Sequence, residues 1–232
     1  MYYKYSNIRM IENYTIYGER CSGTNFLVRL MEQNFDNYKV TWDYGNKHFF
    51  GFHEDKLKES DNTLFICIVR NPVDWINSLY KNPWHICQEI RGDVNKFLND
   101  EFYSYNDDAS GPRDGTEIMQ DRNMHTGERY KNVFELRHTK LKYMIEELPK
   151  QVKHYIFIKH EDLVNDFENT MNKLRDTGLR VKPNIQFPVN WIYYKDLKNE
   201  LYQKKEYKEI SKDLVLNSPN FIEEYEKKLG YL

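Results

Sequence analysis

Six consecutive apolar residues, Leu64-Phe65-Ile66-Cys67-Ile68-Val69, stand in a chain of which 30% is charged. So short a run, bounded by polar residues, reads as a strand. Apolar side chains on both of its faces need cover on both faces. That is an inner strand of a parallel sheet held between helices. Arg70-Asn71-Pro72 ends the run, and Pro72 suits the first turn of a helix carrying Trp75, Ile76 and Leu79.

The same pattern recurs along the chain. Tyr14 to Tyr17 is a short apolar run, and His154-Tyr155-Ile156-Phe157-Ile158 reads as a second buried strand. Between the strands, Val133, Leu136, Leu141, Met144, Ile145 and Leu148 recur at helical spacing. Glu161-Asp162 opens a further helix with Leu163, Phe167, Met171 and Leu174. Strands alternating with helices predict a three-layer α/β fold with a central, mainly parallel sheet. No repeat or low-complexity linker divides the chain, so residues 1–232 are expected to form one domain. Residues 103–127, rich in Asp, Asn, Ser and Gly, read as a polar lid or insertion. Residues 195–232, dense in Lys, Glu and Tyr, read as a tail of one or two solvated helices ending near Gly230.

Bulk properties narrow the function. A net charge of −2 argues against a general nucleic-acid coat, though not against a local basic pocket. No run of about 18 apolar residues suggests a membrane span, and the first residues lack an apolar signal core. Three cysteines without C-x-x-C spacing suggest neither a disulfide framework nor a zinc site. A reducing cytoplasm is the expected setting.

Two segments carry chemistry. The first is Tyr17-Gly18-Glu19-Arg20-Cys21-Ser22-Gly23-Thr24-Asn25-Phe26, which reads as strand, tight loop and helix. Such a loop aims backbone N–H groups and a helix dipole at one point, which suits phosphate or sulfate. Gly18-x-x-x-x-Gly23 has the spacing of a nucleotide-triphosphate loop, but Thr24 and Asn25 stand where Lys and Ser/Thr would serve β/γ-phosphates and magnesium. The second is Arg70-Asn71-Pro72 through Ser78. Arg70 closes the inner strand, and Ser78 lies about two helical turns beyond it. A guanidinium fork and a hydroxyl there can grip one phosphate together.

In these two segments the chain resembles the sulfotransferases that use 3′-phosphoadenosine 5′-phosphosulfate (PAPS), whose fold is P-loop NTPase-like. The resemblance runs from about residue 14 to 175. It implies that Cys21, Ser22, Gly23, Thr24 and Asn25 bind the 5′-phosphosulfate, and that Arg70 and Ser78 bind the 3′-phosphate. Lys47-His48 is similar to the family element that supplies the catalytic base, which makes His48 the expected base. His53, followed by Glu54, is its rival. The segments Asn132 to Arg137 and His160 to Leu163 also look like family segments. The implied reaction is in-line sulfuryl transfer, without a metal, to a hydroxyl of a small-molecule or carbohydrate acceptor. In the family a basic residue often precedes Ser-Gly-Thr and meets the leaving phosphate. Here Cys21 holds that position, so Arg20 reaches round, Lys47 supplies the charge, or transfer is impaired. A thiol at a helix N-terminus tends towards a lowered pKa, so Cys21 is expected to be reactive.

Arg129, Lys131, Arg137 and Lys140 form a basic cluster, with Arg137 and Lys140 on one helix face. It is either a further nucleotide contact, through Arg137, or a solvated face balanced by Glu128 and Glu135. His85 would line an acceptor pocket or simply bond within its loop. Two rival functions remain open: a nucleotide or small-molecule kinase of P-loop type, and a non-catalytic nucleotide-binding relative.

Overall fold

The computed structural model describes residues 11–49, 54–106, 115–187 and 205–232. Its frame is a parallel sheet of β1 (Asn13–Tyr17), β2 (Lys39–Val40), β3 (Thr63–Val69) and β4 (His154–Lys159), in the order β2-β1-β3-β4. Leu64 pairs with Tyr14 on one side and His154 on the other. The apolar run is therefore the inner strand its sequence predicts, and every residue of β3 is buried. Side chains alternate across it. Leu64, Ile66 and Ile68 enter one core with α1 (Thr24–Asn34), α6 (His160–Asn165) and α7 (Phe167–Asp176). Phe65, Cys67 and Val69 enter another, against α4 (Val133–Lys142) and the π-helix Tyr143–Glu147 that continues it. Helices thus cover both faces of the sheet.

β4 departs from expectation. As the last strand in the sheet it pairs only with β3 among the described residues, and only Ile158 of its six residues is fully buried. The helix expected from Glu161 to Leu174 is two helices, broken at Asp166.

α2 (Pro72–Lys81) starts where the sequence predicts. Asn71 caps it, its side chain accepting from the N–H groups of Val73 and Asp74, which contributes about 1 kcal/mol. α2 packs with α3 (Val94–Asn99), α4 and α8 (Lys212–Leu216) in a third core around Trp75 and Phe134. α4 runs through the π-helix into α5 (Leu148–Gln151), and α9 (Glu224–Lys228) packs on α4.

The chain leaves β1 for β2 on one side and then crosses over to β3 on the other. The carboxyl ends of β1 and β3 are adjacent there, and such a switch point opens the crevice in which open α/β sheets bind ligands. Both motifs leave the sheet at that crevice. Of the expected lid, Ser104, Tyr105, Asp121 and Asn123 are buried, while residues 115, 116, 119, 120 and 125–127 are exposed. Residues 107–114 lie outside the described residues, as do residues 195–204 of the expected tail. The remainder of that tail is not simply solvated, since Val215, Tyr225 and Glu226 are buried.

Candidate functional site

The loop between β1 and α1 is folded tightly against β3. A Cβ on Gly18 would lie 2.5 Å from the Ile68 carbonyl oxygen. Gly23 has φ +100°, and a Cβ there would lie 2.6 Å from the His160 ring. Only glycine satisfies the close approach and the left-handed backbone together. α1 begins at Thr24 with no side-chain cap. The N–H groups of its first turn have no partner within the helix, so they face the crevice with the positive end of the dipole. Ser22 does not join them. Its N–H and its hydroxyl both go to the Glu19 carbonyl, so the donors of the cradle begin at Gly23.

Beneath the loop lies a buried ionic group. Lys140, 1% exposed, donates to Glu19, to Asp121 Oδ1 at 2.6 Å and to the His48 carbonyl at 3.1 Å. Three acceptors satisfy its three N–H donors. Burial disfavours its charge, but Asp121 and Glu19 outweigh that and raise its pKa. Burial likewise pushes the Glu19 carboxyl up, while Lys140 and Arg20 hold it below the usual range. Arg20 belongs to the same group. It lies 3.5 Å from Glu19 and from Asp121, donates to the Trp84 carbonyl at 3.2 Å and sits over the Phe102 ring. Ser104 donates its hydroxyl to Asp121. Arg20 thus points under the loop, with its charge spent on Glu19 and Asp121.

The two motifs meet at Cys21. Arg70 donates to the Cys21 carbonyl at 3.4 Å, and the Cys21 thiol donates to the Ser78 carbonyl at 3.6 Å. Arg70, Ser78 and the loop are therefore neighbours, although far apart in sequence. Arg70 is 6% exposed, and its Nε has no hydrogen-bond partner among the described residues. Its other contact is Nη2 to the Lys205 carbonyl at 3.5 Å. A buried guanidinium held only by long bonds retains donors for an anion. The expected reactivity of Cys21 is not found. Burial pushes the thiol up to about 11, and the Ser78 bond together with the Arg20 and Arg70 charges does not reverse it.

Lys47 and His48 close the other side of the loop. The Gly18 N–H donates to the Lys47 carbonyl at 2.9 Å, and His48 Nδ1 lies 2.8 Å from the Gly18 carbonyl. A carbonyl can only accept, so the neutral ring carries its proton on Nδ1 and presents a lone pair at Nε2. Burial, with Lys47 adding to it, pushes His48 down to about 3. The Lys47 ammonium donates to the Asn25 side chain in the first turn of α1, and burial lowers it to about 8. The rival His53 lies outside the described residues.

The solvated face expected of the basic cluster does not describe Arg137 and Lys140, since both side chains are buried. Arg137 pairs with Glu226 through two hydrogen bonds at 2.5 and 2.9 Å, donates to the Arg70 carbonyl at 2.9 Å and sits 5.0 Å from the Trp75 ring. It fixes the end of β3 to α9. Arg129 is committed to Glu117 and Glu101. His85 bonds out of its own loop, its Nδ1 lying 3.2 Å from the Tyr105 carbonyl. Sequence reasoning missed Glu19 and Asp121 as members of the site. Glu19 carried a signal, being an acid inside an anion loop, but Asp121 carried none within a long polar segment.

No family model matches the chain, and no curated protein matches it.

Proposed function

We propose that this protein is a sulfotransferase, moving the sulfuryl group of PAPS to a hydroxyl of a small-molecule or carbohydrate acceptor. One observation carries the reading. The loop leading into an uncapped helix N-terminus is contacted at Cys21 by a buried arginine with an unpartnered Nε among the described residues, and the first turn of that helix is contacted at Asn25 by a partly desolvated lysine. The two glycines let the loop pack against Ile68 and His160, where a Cβ would collide. These are the requirements for gripping an anionic nucleotide at two points.

When bound, the donor supplies an activated sulfuryl group with a phosphate as leaving group. The first-turn N–H groups of α1 and the Thr24 hydroxyl hold its 5′ end. Arg70 and Ser78 hold its 3′-phosphate. The His48 Nε2 lone pair receives the acceptor's hydroxyl proton, while Gly18 keeps the tautomer fixed. An anion beside the imidazole raises its pKa, so the base strengthens once the donor is bound. Of the two cations offered for the leaving phosphate, Lys47 is the better placed. It stands on Asn25, whereas Arg20 is committed to Glu19 and Asp121.

The test is calorimetric titration with 3′-phosphoadenosine 5′-phosphate in the absence of magnesium, beside ATP and 5′-AMP. Micromolar binding that needs the 3′-phosphate and is lost in Arg70→Ala is expected. No binding, or a preference for magnesium-ATP, overturns the reading in favour of a kinase. Binding without transfer to any hydroxyl acceptor, unaffected by His48→Ala, returns the non-catalytic relative.

A further inference from the structure

A cavity of about 260 Å³ lies on the far side of the buried ionic group from the anion loop. Lys140 and Asp121 form part of its lining, whereas no residue from Gly18 to Asn25 does. Its volume falls just below the range of pockets that hold drug-sized ligands, which suits a molecule the size of one sugar ring.

The charges around it are unequal in what they have left to give. Lys140 has spent its three donors on Glu19, Asp121 and the His48 carbonyl. Arg122 is taken up by Glu117 at 3.0 Å, with Nη1 near the Gly127 carbonyl. Asp121 is taken up by Lys140, Arg20 and Ser104. Two carboxylates are left without a hydrogen-bonded cation among the described residues. Among the described residues Glu54 bonds only the neutral amide of Gln151 and pairs with no cation. Glu147 has His125 and Lys142 each at 3.6 Å, beyond hydrogen-bond distance. Glu54 and Glu147 both line the cavity, so they look onto one space.

The backbone singles out the same place. Tyr143 and Glu147 are the first and last residues of the π-helix, and both line the cavity. π-turns are rare and frequently occur at functional sites. The aromatic rings, Phe49, Tyr130 and Tyr143, are almost wholly buried, so the wall that a ligand meets is mainly polar.

We propose that this cavity binds a small hydroxylated molecule bearing a protonated amine, held between Glu54 and Glu147. Amino sugars and amino alcohols belong to this class; anionic compounds and flat hydrophobic phenols do not. The inference stands apart from the sulfotransferase reading, since it needs neither the donor nor transfer.

The probe is D-glucosamine, with D-glucose as its uncharged counterpart, titrated into isotopically labelled protein and followed by NMR. Saturable shifts at Tyr143 and Glu147 with glucosamine, at least tenfold weaker with glucose, are expected. Glu54 is exposed and Glu147 half-buried, and Glu54→Gln and Glu147→Gln should each weaken glucosamine at least fivefold, with Glu54→Gln leaving the melting temperature unchanged. Equal binding of the two sugars overturns the proposal, as do shifts confined to another face or no saturable shift at all. Undiminished binding in the Glu54→Gln, Glu147→Gln double variant also overturns it. Titration with 3′-phosphoadenosine 5′-phosphate on the same sample reports the anion loop separately, so failure of one reading does not disguise failure of the other.

Discussion

Gly18 and His48 hold each other in place. The Gly18 carbonyl accepts from the His48 ring at 2.8 Å, and the Gly18 N–H donates to the carbonyl of the adjacent Lys47 at 2.9 Å. A residue of the anion loop thereby fixes both the protonated nitrogen of the imidazole and the position of the neighbouring ammonium. Lys140 completes the arrangement from below by holding the His48 carbonyl and the Glu19 carboxylate together.

Lys47 makes anion binding depend on pH in a definite direction. Its pKa is about 8 when folded, against an ordinary 10.5. At pH 9 the folded protein therefore holds this side chain mostly neutral. A bound anion favours its charged form, so binding at pH 9 should take up a proton, and binding at pH 7 should take up none from Lys47. For folding, the unfolded chain binds more protons between pH 8 and 10.5, so this group's contribution to stability rises with pH across that window. Calorimetry of 3′-phosphoadenosine 5′-phosphate at pH 9, in two buffers of different ionisation enthalpy, measures the uptake. Equal heats in both buffers would exclude Lys47 from the anion site, and Lys47→Met should abolish the difference.

Gly23→Ala should disable the loop at more than one level. The new methyl meets the His160 ring at 2.6 Å, and φ +100° is strained for any L side chain. A destabilisation of about 1–3 kcal/mol is expected, with anion binding reduced beyond detection. Adding His160→Ala relieves the clash but not the backbone strain, so stability should return in part and binding should not. Full recovery of both would show that the clash alone is responsible.

Cys21 should resist alkylation. Its pKa near 11 leaves on the order of one thiol in a thousand or fewer ionised at pH 7.5. Iodoacetamide should label it far more slowly than a free thiol, with the rate climbing through pH 10. Rapid labelling at pH 7.5, located by mass spectrometry, would mean that the loop opens in solution.

Lys140→Met should be among the most damaging single changes in the chain. It leaves Glu19 and Asp121 buried with Arg20 as their one remaining cation in the group. Removing one partner of a buried ion pair costs about 3–5 kcal/mol. Denaturant unfolding gives the loss directly. The Lys140→Met, Glu19→Gln double variant should recover part of it, because one uncompensated carboxylate is removed. A loss of under about 1 kcal/mol would mean that water reaches this group.

What the sequence made legible was local. The apolar run of β3, the Pro72 helix start and the spacing along α4 each reflect a constraint that neighbouring residues impose on one another. Arg70 and Ser78 were legible for the same reason, being two turns apart on consecutive elements. The contact of Arg70 with the Cys21 carbonyl was not legible, since no local spacing links the two residues. The ionic group was not legible. Glu19, Asp121 and Lys140 come from three separate elements, and no periodicity links them. Arg137 illustrates the limit: its helix face was correctly read, but the partner on that face, Glu226, lies in a distant acidic stretch. The break at Asp166 and the π-helix escaped because apolar spacing continues across both.

The bond from Arg137 to Glu226 also has a meaning in time. During synthesis the anion loop and Arg70 emerge early, while Glu226 follows near the end of this chain. At ribosomal rates of about 5–20 residues per second, that interval is on the order of ten seconds or more. Throughout it, the carbonyl end of β3 lacks its final clamp, and Asn77 lacks the Ile210 backbone to which it later bonds through both donor and acceptor. A nascent chain would thus carry the glycine loop, the arginine and the histidine well before it could hold them in register. The grip on an anion would be acquired only after Glu226 has emerged and closed on Arg137.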